Sequence, residues 1–490
     1  MSLKKSHTIG TATQRQAGIL LHPTSLPGAF GNGDFGHDAW RFIEFLSAAR
    51  MSVWQCLPLG PTHNDLSPYQ CLSVHAGNPA LISIDWLIDR GWLTHDKNPD
   101  RISLLHNAYD GFRASRNDPL HAEFEAFKTE EKDWLDDYAL YSTIRKAQRN
   151  KPWMQWPTPL RDRDRSALDE FSNTHLDELE QQKFIQFVFF KQWLELKAYA
   201  KKHGVQLFGD MPIFVAHDSA DVWTHRHYFT VDATGMAQFV AGVPPDYFSD
   251  TGQRWGNPLY NWERMQADNF KWWIQRIRTH LKLFDFVRID HFRGFEACWQ
   301  IAATEETAIN GEWVKSPGKE LLTELYKTFG SLPLVAEDLG IITEEVDALR
   351  EEFGLPGMKI LQFAFNGSHD NPYLPHNHEP NSVVYTGTHD NDTTLGWYQN
   401  LPEGNKTMIN NYLGYDAGTS MPWSLIRTAL SSVARLSIIP MQDILALGSD
   451  SRMNIPGTTV NNWQWRFNWD QLAPETAARL KTMLELYDRA

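Results

Sequence analysis

Three acidic residues of this chain each stand where a short apolar run ends. Asp290 ends the run FVRID, Glu337 ends LPLVAE, and Asp390 follows SVVYTGTH. A carboxylate at the end of a buried strand is costly unless it has a partner, and two carboxylates about 5 Å apart can cleave a glycosidic bond with retention. Any one of these acids, taken alone, could equally be a helix cap or a salt-bridge partner. The recurrence of the pattern indicates an enzyme site.

The elements that would position these acids are eight apolar runs bounded by turn residues. Near-continuous apolar runs are typical of parallel strands that are buried on both faces. Segments of helical period, such as residues 268–283 and 319–329, lie between them. The alternation predicts an α/β fold, a (β/α)₈ TIM barrel, in which the ends of the strands converge on one face. The predicted strands are residues 18–22, 52–59, 205–215, 286–290, 332–337, 358–365, 383–387 and 436–443.

The spacing of the predicted strands is uneven. Many more residues separate the second and third strands than a single crossover helix requires, and residues 80–204 have charged and aromatic residues at helical spacing. We therefore expect one catalytic barrel over residues 1–490 with two insertions. Residues 60–204 would form a mostly helical insertion between strands 2 and 3, and residues 216–280 a lid between strands 3 and 4.

Composition limits the classes of function. The 46 Lys and Arg against 60 Asp and Glu give a net charge of −14, which argues against a nucleic-acid surface. No stretch is apolar enough to span a bilayer, and no apolar core of a signal peptide follows the first lysines. The sequence predicts a cytoplasmic protein that binds neither nucleic acid nor membrane.

Metal ligands are not expected. The three cysteines, Cys56, Cys71 and Cys298, match no zinc spacing, and reduced thiols are the simpler interpretation. The histidine pairs at 225/227 and 376/378 lack a third ligand at suitable spacing. We therefore predict no metal and no cofactor.

The segments around the three acids resemble the amylomaltases, the 4-α-glucanotransferases of glycoside hydrolase family 77 in the α-amylase clan. Residues 287–294 (VRIDHFRG), 336–340 (AEDLG) and 385–393 (YTGTHDNDT) resemble the family's nucleophile, acid/base and stabiliser segments. Residues 208–215 (FGDMPIFV) are similar to the first region of the clan. The resemblance implies Asp290 as nucleophile, Glu337 as acid/base and Asp390 as the residue that holds substrate hydroxyls in the transition state.

Two loops resemble amylomaltases in particular. Residues 242–260 are similar to the family's lid loop, and residues 67–70 (SPYQ) to a loop that contacts the sugar. Leu66 separates Asp65 from this loop, which departs from the family pattern, and we assign Asp65 no role. The resemblance implies that substrate is bound by Ser67, Tyr69, Asp210, Asp246, Gln253, Trp255, Arg288, His389 and Asn391.

Chemistry alone also suggests a role for three neighbours of the acids. Arg288 would lie on the same strand face as Asp290 and could hold it ionised, or could form a purely structural ion pair. His389 and His291 could each bond sugar hydroxyls as neutral imidazoles. For His291, capping or packing is an equal alternative.

The resemblance implies transfer of α-1,4-glucan segments from a malto-oligosaccharide to the 4-hydroxyl of a second glucan or glucose, by double displacement. An α-amylase-like retaining hydrolase is one alternative. A catalytically silent glucan-binding protein is another, although a binding module would tolerate the loss of any of the acids. The expected partners are the donor and acceptor glucans, and the expected state is a monomer or a weak homo-oligomer.

Overall fold

The computed structural model describes residues 14–28, 30–94, 100–245, 249–416 and 418–490. Its strands belong to two sheets, one large and parallel and one small and antiparallel. In chain order they are β1 (Gln16–Leu20), β2 (Val53–Gln55), β3 (Gln206–Pro212), β4 (Phe239–Val243), β5 (Gln253–Pro258), β6 (Phe286–Asp290), β7 (Ala297–Ala302), β8 (Gly311–Lys315), β9 (Leu334–Ala336), β10 (Gly357–Ile360), β11 (Ser382–Tyr385) and β12 (Leu436–Pro440).

The large sheet is the predicted barrel. Its strands run in the order β10-β11-β12-β1-β2-β3-β6-β9, and neighbours pair in parallel. The Ala336 N–H donates to Pro356 O at 2.9 Å across the remaining gap between β9 and β10. The (β/α)₈ prediction is confirmed, and each of the eight apolar runs contributes one barrel strand. Several strands are shorter than their runs, because after β10 and β12 the apolar residues continue into a 3₁₀ turn and a short helix.

Helices surround the barrel and fill the long connection between β2 and β3. The longest, α8, packs against α1, α5 and β3. Among the described residues no helix is long and apolar enough to cross a membrane. The helices are α1 (His37–Ala48), α2 (Ile84–Asp89), α3 (Arg101–Ala114), α4 (Leu120–Glu130), α5 (Lys132–Ala147), α6 (Thr158–Arg161), α7 (Arg165–Thr174), α8 (Leu176–Lys202), α9 (Ala220–Thr224), α10 (Trp262–Ala267), α11 (Lys271–Leu283), α12 (Gly318–Phe329), α13 (Glu344–Glu352), α14 (Thr394–Asn400), α15 (Glu403–Leu413), α16 (Trp423–Ser431), α17 (Met441–Ile444) and α18 (Thr476–Leu486).

The small sheet has the order β5-β4-β7-β8 and is antiparallel throughout. Its first two strands precede β6 and its last two follow it, so the sheet joins two successive barrel connections. The predicted insertions, residues 60–204 and 216–280, both precede β6. Strand β8 was not predicted because its residues are mixed in polarity and largely exposed, so they form no apolar run. Strand β7 was not predicted because its mostly apolar residues are interrupted by Gln300.

Candidate active site

A cleft of about 680 Å³ opens at the carboxyl ends of the barrel strands, and all three predicted acids line it. Asp290 is the last residue of β6, Glu337 directly follows β9, and Asp390 lies in the loop after β11. Parallel strands of a barrel bring residues that are far apart in sequence to one face. Of the predicted substrate-binding residues, the cleft is also lined by Tyr69, Gln253, Trp255, Arg288 and Asn391.

Arg288 joins two carboxylates beneath the cleft. Its Nη2 donates to Asp290 Oδ1 at 2.7 Å, and its Nη1 lies 2.8 Å from both oxygens of Asp210. The Asp210 side chain is 0% exposed and that of Arg288 only 5%, whereas that of Asp290 is 31% exposed. Burial lowers the pKa of Arg288, but the two carboxylates outweigh it and raise that pKa well above its usual value. The guanidinium therefore stays charged and fixes the carboxylate that faces the cleft.

Tyr69 connects the 67–70 loop to this buried pair. Its hydroxyl donates to Asp210 Oδ2 at 2.7 Å, and its ring stacks on His389 with centroids 5.0 Å apart. Ser67 Oγ accepts a 3.3 Å hydrogen bond from the Tyr69 N–H. Asp65, which received no role from the sequence, accepts from the Ser67 N–H at 3.1 Å and so shapes the same turn.

Glu337 is held against the strand that carries Asp290. Its Oε2 accepts from the His291 N–H at 2.6 Å, its Oε1 from the Leu339 N–H at 3.0 Å, and its own N–H donates to Ile289 O. His291 has φ of 55°, a left-handed conformation that is uncommon for a non-glycine residue. Burial raises the pKa of Glu337 to about 8; the nearby charge of Asp290 adds to this rise and Arg288 opposes it. At neutral pH this carboxyl is mostly protonated, as a general acid must be.

The surroundings of Asp390 lower its pKa, whereas those of Glu337 raise the pKa of that residue. Asp390 Oδ2 lies 3.3 Å from His389 Nε2, and Asp390 Oδ1 accepts from Asn454 Nδ2 at 2.7 Å. The protein around the carboxylate raises its pKa, but His389 and then Asn454 more than compensate and bring the pKa to about 2. Asp390 is therefore ionised at neutral pH while Glu337 keeps its proton.

The loop that carries Asp390 is anchored at both ends by one buried acid. Asp443, 1% exposed, accepts from Thr386 Oγ1 at 2.6 Å and from the backbone N–H and Oγ1 of Thr394 at 2.7 and 2.6 Å. Within the loop, Asn391 Oδ1 accepts from the N–H and hydroxyl of Thr388. These bonds hold residues 386–394 in one conformation.

The small sheet supplies one wall of the cleft. Trp255 Nε1 donates to Gln253 Oε1 at 3.1 Å, and the indole meets His291 edge to face with centroids 4.8 Å apart. His291 is thus packed under Trp255, and burial lowers its pKa to about 4, so the ring is neutral. Asp246, predicted from the same loop, lies outside the described residues.

The histidines at 376 and 378 bond other groups of the protein. His378 uses both ring nitrogens on Ser432 Oγ and Tyr373 O, and His376 bonds the hydroxyl of Tyr412. Over the described ranges, no group of three or more His, Cys, Asp and Glu side chains could hold a metal ion.

Several residues of the cleft were not found by sequence reasoning. Arg452 donates through Nη2 to Asp390 O at 2.9 Å, and Asn454 holds the carboxylate of Asp390. Both follow β12, the last barrel strand, and residues that follow a barrel strand lie on the face that carries the active site. Their position in the sequence could therefore have marked them as candidates. Neither residue is an acid, and neither belongs to a segment that resembles the family's motifs. Arg293 and Trp313 also line the cleft.

Comparisons with known proteins identify the family of the chain. The family model described as 4-alpha-glucanotransferase, of glycoside hydrolase family 77, matches residues 21–472. The 4-alpha-glucanotransferase of Synechocystis sp. is 49% identical to the chain, with 97% of the chain and 98% of the relative covered. That of Thermus thermophilus is 47% identical over 97% and 99% of the two chains.

A solved structure gives the same result for the fold. The amylomaltase from Streptococcus agalactiae, in complex with acarbose, superposes with a TM-score of 0.93 at 37% identity, over 97% of this chain and 100% of that one. The chain therefore belongs to glycoside hydrolase family 77, the 4-α-glucanotransferases.

Proposed function

We propose that Asp290, Glu337 and Asp390 divide the chemistry of α-1,4-glucan transfer in this enzyme. The observation that carries the proposal is the difference in the surroundings of the three carboxyl groups within one cleft: Glu337 accepts from two backbone N–H groups, Asp390 is bonded to Asn454 beside His389, and Asp290 is bonded to Arg288. Glu337 has a pKa raised to about 8, and Asp390 one lowered to about 2. Asp290 is fixed by a charged guanidinium at 2.7 Å. Carboxyl groups whose environments differ in this way can act as acid and as anion at the same pH.

In the first step a carboxylate oxygen of Asp290 attacks C1 of the bound glucan. Glu337 protonates the departing 4-oxygen as the C1–O bond breaks, which leaves a covalent glucosyl–Asp290 ester. Asp390, kept anionic by His389 and Asn454, binds hydroxyls of the sugar at the reaction centre. Its charge also stabilises the positive charge that develops at C1.

In the second step the 4-hydroxyl of another glucan attacks C1. Glu337, now a carboxylate, takes the proton of that hydroxyl, and the ester bond to Asp290 breaks. The two displacements each invert C1, so the α-linkage is retained. Transfer prevails over hydrolysis when an acceptor sugar excludes water from the ester. Gln253 and Trp255, beside the reaction centre, are the residues to which we assign acceptor binding.

The remaining predicted residues act at different distances from the sugar. We assign direct contact to Tyr69, Arg288 and Asn391, which line the cleft. Asp210 has no exposed side-chain surface, so it acts through Arg288 and Tyr69. Ser67 and His389 act largely by positioning Tyr69 and Asp390.

Two wider properties belong to the same proposal. We propose a cytoplasmic enzyme. Its free cysteines suit a reducing compartment, and its net charge of −14 suits a protein dissolved in water. We propose further that it acts as a monomer or a weak homo-oligomer.

The products formed from maltotriose test the proposal. A transferase converts maltotriose into glucose and longer malto-oligosaccharides while the total number of reducing ends stays constant. A steady rise in reducing ends would instead indicate a hydrolase. An Asp290→Asn protein should lose at least about a thousandfold in kcat, because the nucleophile is removed, and substantial remaining transfer would refute the assigned role.

A further inference from the structure

Beyond the residues assigned to the reaction centre, the cleft has an aromatic surface on the wall formed by the small sheet. Trp313, on the outer strand β8, lines the cleft and is 37% exposed. Its cross-strand neighbour Trp299 meets it at 64° with ring centroids 5.3 Å apart. A large aromatic side chain exposed inside a cleft loses apolar contact with water when a sugar covers it.

A cation lies against the same indole. The guanidinium of Arg293 is centred 3.9 Å from the Trp313 ring, and its Nη1 donates to Ile341 O at 2.8 Å. The residue is only 6% exposed. Its Nε–H is buried and has no hydrogen-bond partner among the described residues. Arg293 lines the cleft, and an arginine that is bonded on one side and stacked on an aromatic ring is held in a fixed position.

The position of this pair decides which part of a glucan it could reach. Residues 339–341 begin two residues after Glu337, and Arg293 lies three residues beyond Asp290. Glu337 delivers its proton to the leaving oxygen, so the wall beside it faces the leaving-group and acceptor portion of the glucan. Trp255 occupies the nearer part of this wall, packed on His291.

We propose that Trp313 and Arg293 form an outer sugar-binding subsite on the acceptor side, which selects glucans longer than those that fill the reaction centre. The inference rests on the proposed function, because it takes an α-1,4-linked chain as the ligand. Ile341, 49% exposed at the edge of the same wall, extends the apolar surface. The subsite sets the chain-length preference and takes no part in bond cleavage.

The test is binding of maltoheptaose and maltotriose to an Asp290→Asn protein by calorimetry, with and without Trp313→Ala. We expect the substitution to weaken maltoheptaose binding about fivefold to tenfold, which lies within the range for a lost aromatic contact, and maltotriose binding less than twofold. Trp313→Phe, which keeps a ring, should give an intermediate loss. In the active enzyme, the ratio of kcat/KM for maltoheptaose to kcat/KM for maltotriose should fall by the same factor.

Trp86→Ala is a matched control. Trp86 is also stacked by an arginine, Arg90 at 3.9 Å, and meets Trp92 edge to face at 5.6 Å, but it lies on α2. It should leave both affinities unchanged. Equal effects of Trp313→Ala on the two glucans, or none, would overturn the subsite alone. Failure of the Asp290→Asn protein to bind either glucan would overturn the proposed function and the subsite with it.

Discussion

Replacement of Arg288 by lysine is the sharpest perturbation of the catalytic centre. A lysine keeps the positive charge but cannot bond two carboxylates as the planar guanidinium does. Asp210 has no exposed side-chain surface, whereas Asp290 is 31% exposed and can turn to water. The ammonium should therefore stay with Asp210, and the 2.7 Å bond to Asp290 should be lost.

The size of the effect follows from that one bond. A hydrogen bond between charged groups contributes about 1.5–3 kcal/mol, which corresponds to a fall of about 10-fold to 150-fold in kcat/KM if it is needed in the transition state. A buried charge that loses its partner completely costs about 3–5 kcal/mol of the free energy of unfolding. Arg288→Lys should cost less than this, because Asp210 keeps a cation. Glucose release from maltotriose and urea unfolding measure the two effects.

Arg489→Lys separates the specific loss from the general cost of losing a buried guanidinium. Arg489 is 1% exposed and donates to backbone carbonyls, including Leu430 O and Ser432 O, away from the cleft. It should lower stability and leave the kcat/KM of the folded enzyme unchanged. The reasoning is refuted if Arg288→Lys stays within twofold of the parent kcat/KM, or loses activity only in proportion to its unfolded fraction.

Further predictions concern the ionisation of the two other acids. Because the pKa of Glu337 is raised to about 8 and its protonated form is the catalyst, kcat/KM for maltotriose should be retained at neutral pH and fall as pH rises through about 8, as a pH–rate profile can check. Asn454→Ala removes a bond that lowers the pKa of Asp390, so activity at pH 4 to 5 should fall more than at pH 7, with an overall loss of about tenfold; a uniform loss at all pH values would contradict this. Tyr69→Phe removes the 2.7 Å bond to Asp210 and should lower thermal stability and raise KM, as melting and initial-rate measurements would show.

The barrel could be predicted from the sequence because its strands are buried on both faces. Such strands read as continuous apolar runs, and an acid after a run marks the catalytic face. The same rule missed β8, since Trp313 and its neighbours are partly exposed and belong to no apolar run. It also extended the β12 run to residue 443, where the chain has already become helical.

The limits of the site prediction have a similar cause. Motif resemblance identifies residues one by one, but it does not say which of them face the cleft. The structure separates Asp210, which is buried beneath Arg288, from Tyr69, which lines the cleft. Asn454 and Asp443 support Asp390 from after β12, and only the closed barrel brings these parts of the chain together.

The covalent step can be observed directly on Asp290. A Glu337→Gln protein given α-maltotriosyl fluoride needs no acid for the first displacement, because fluoride leaves unaided, and it lacks the base for transfer, so the ester should accumulate. Mass spectrometry after trypsin, which cuts after Arg288 and Arg293, should find the mass of a maltotriosyl group on peptide 289–293, located on Asp290. A label on Asp390, or an unlabelled peptide while fluoride is released, would contradict the assignment of Asp290 as the nucleophile.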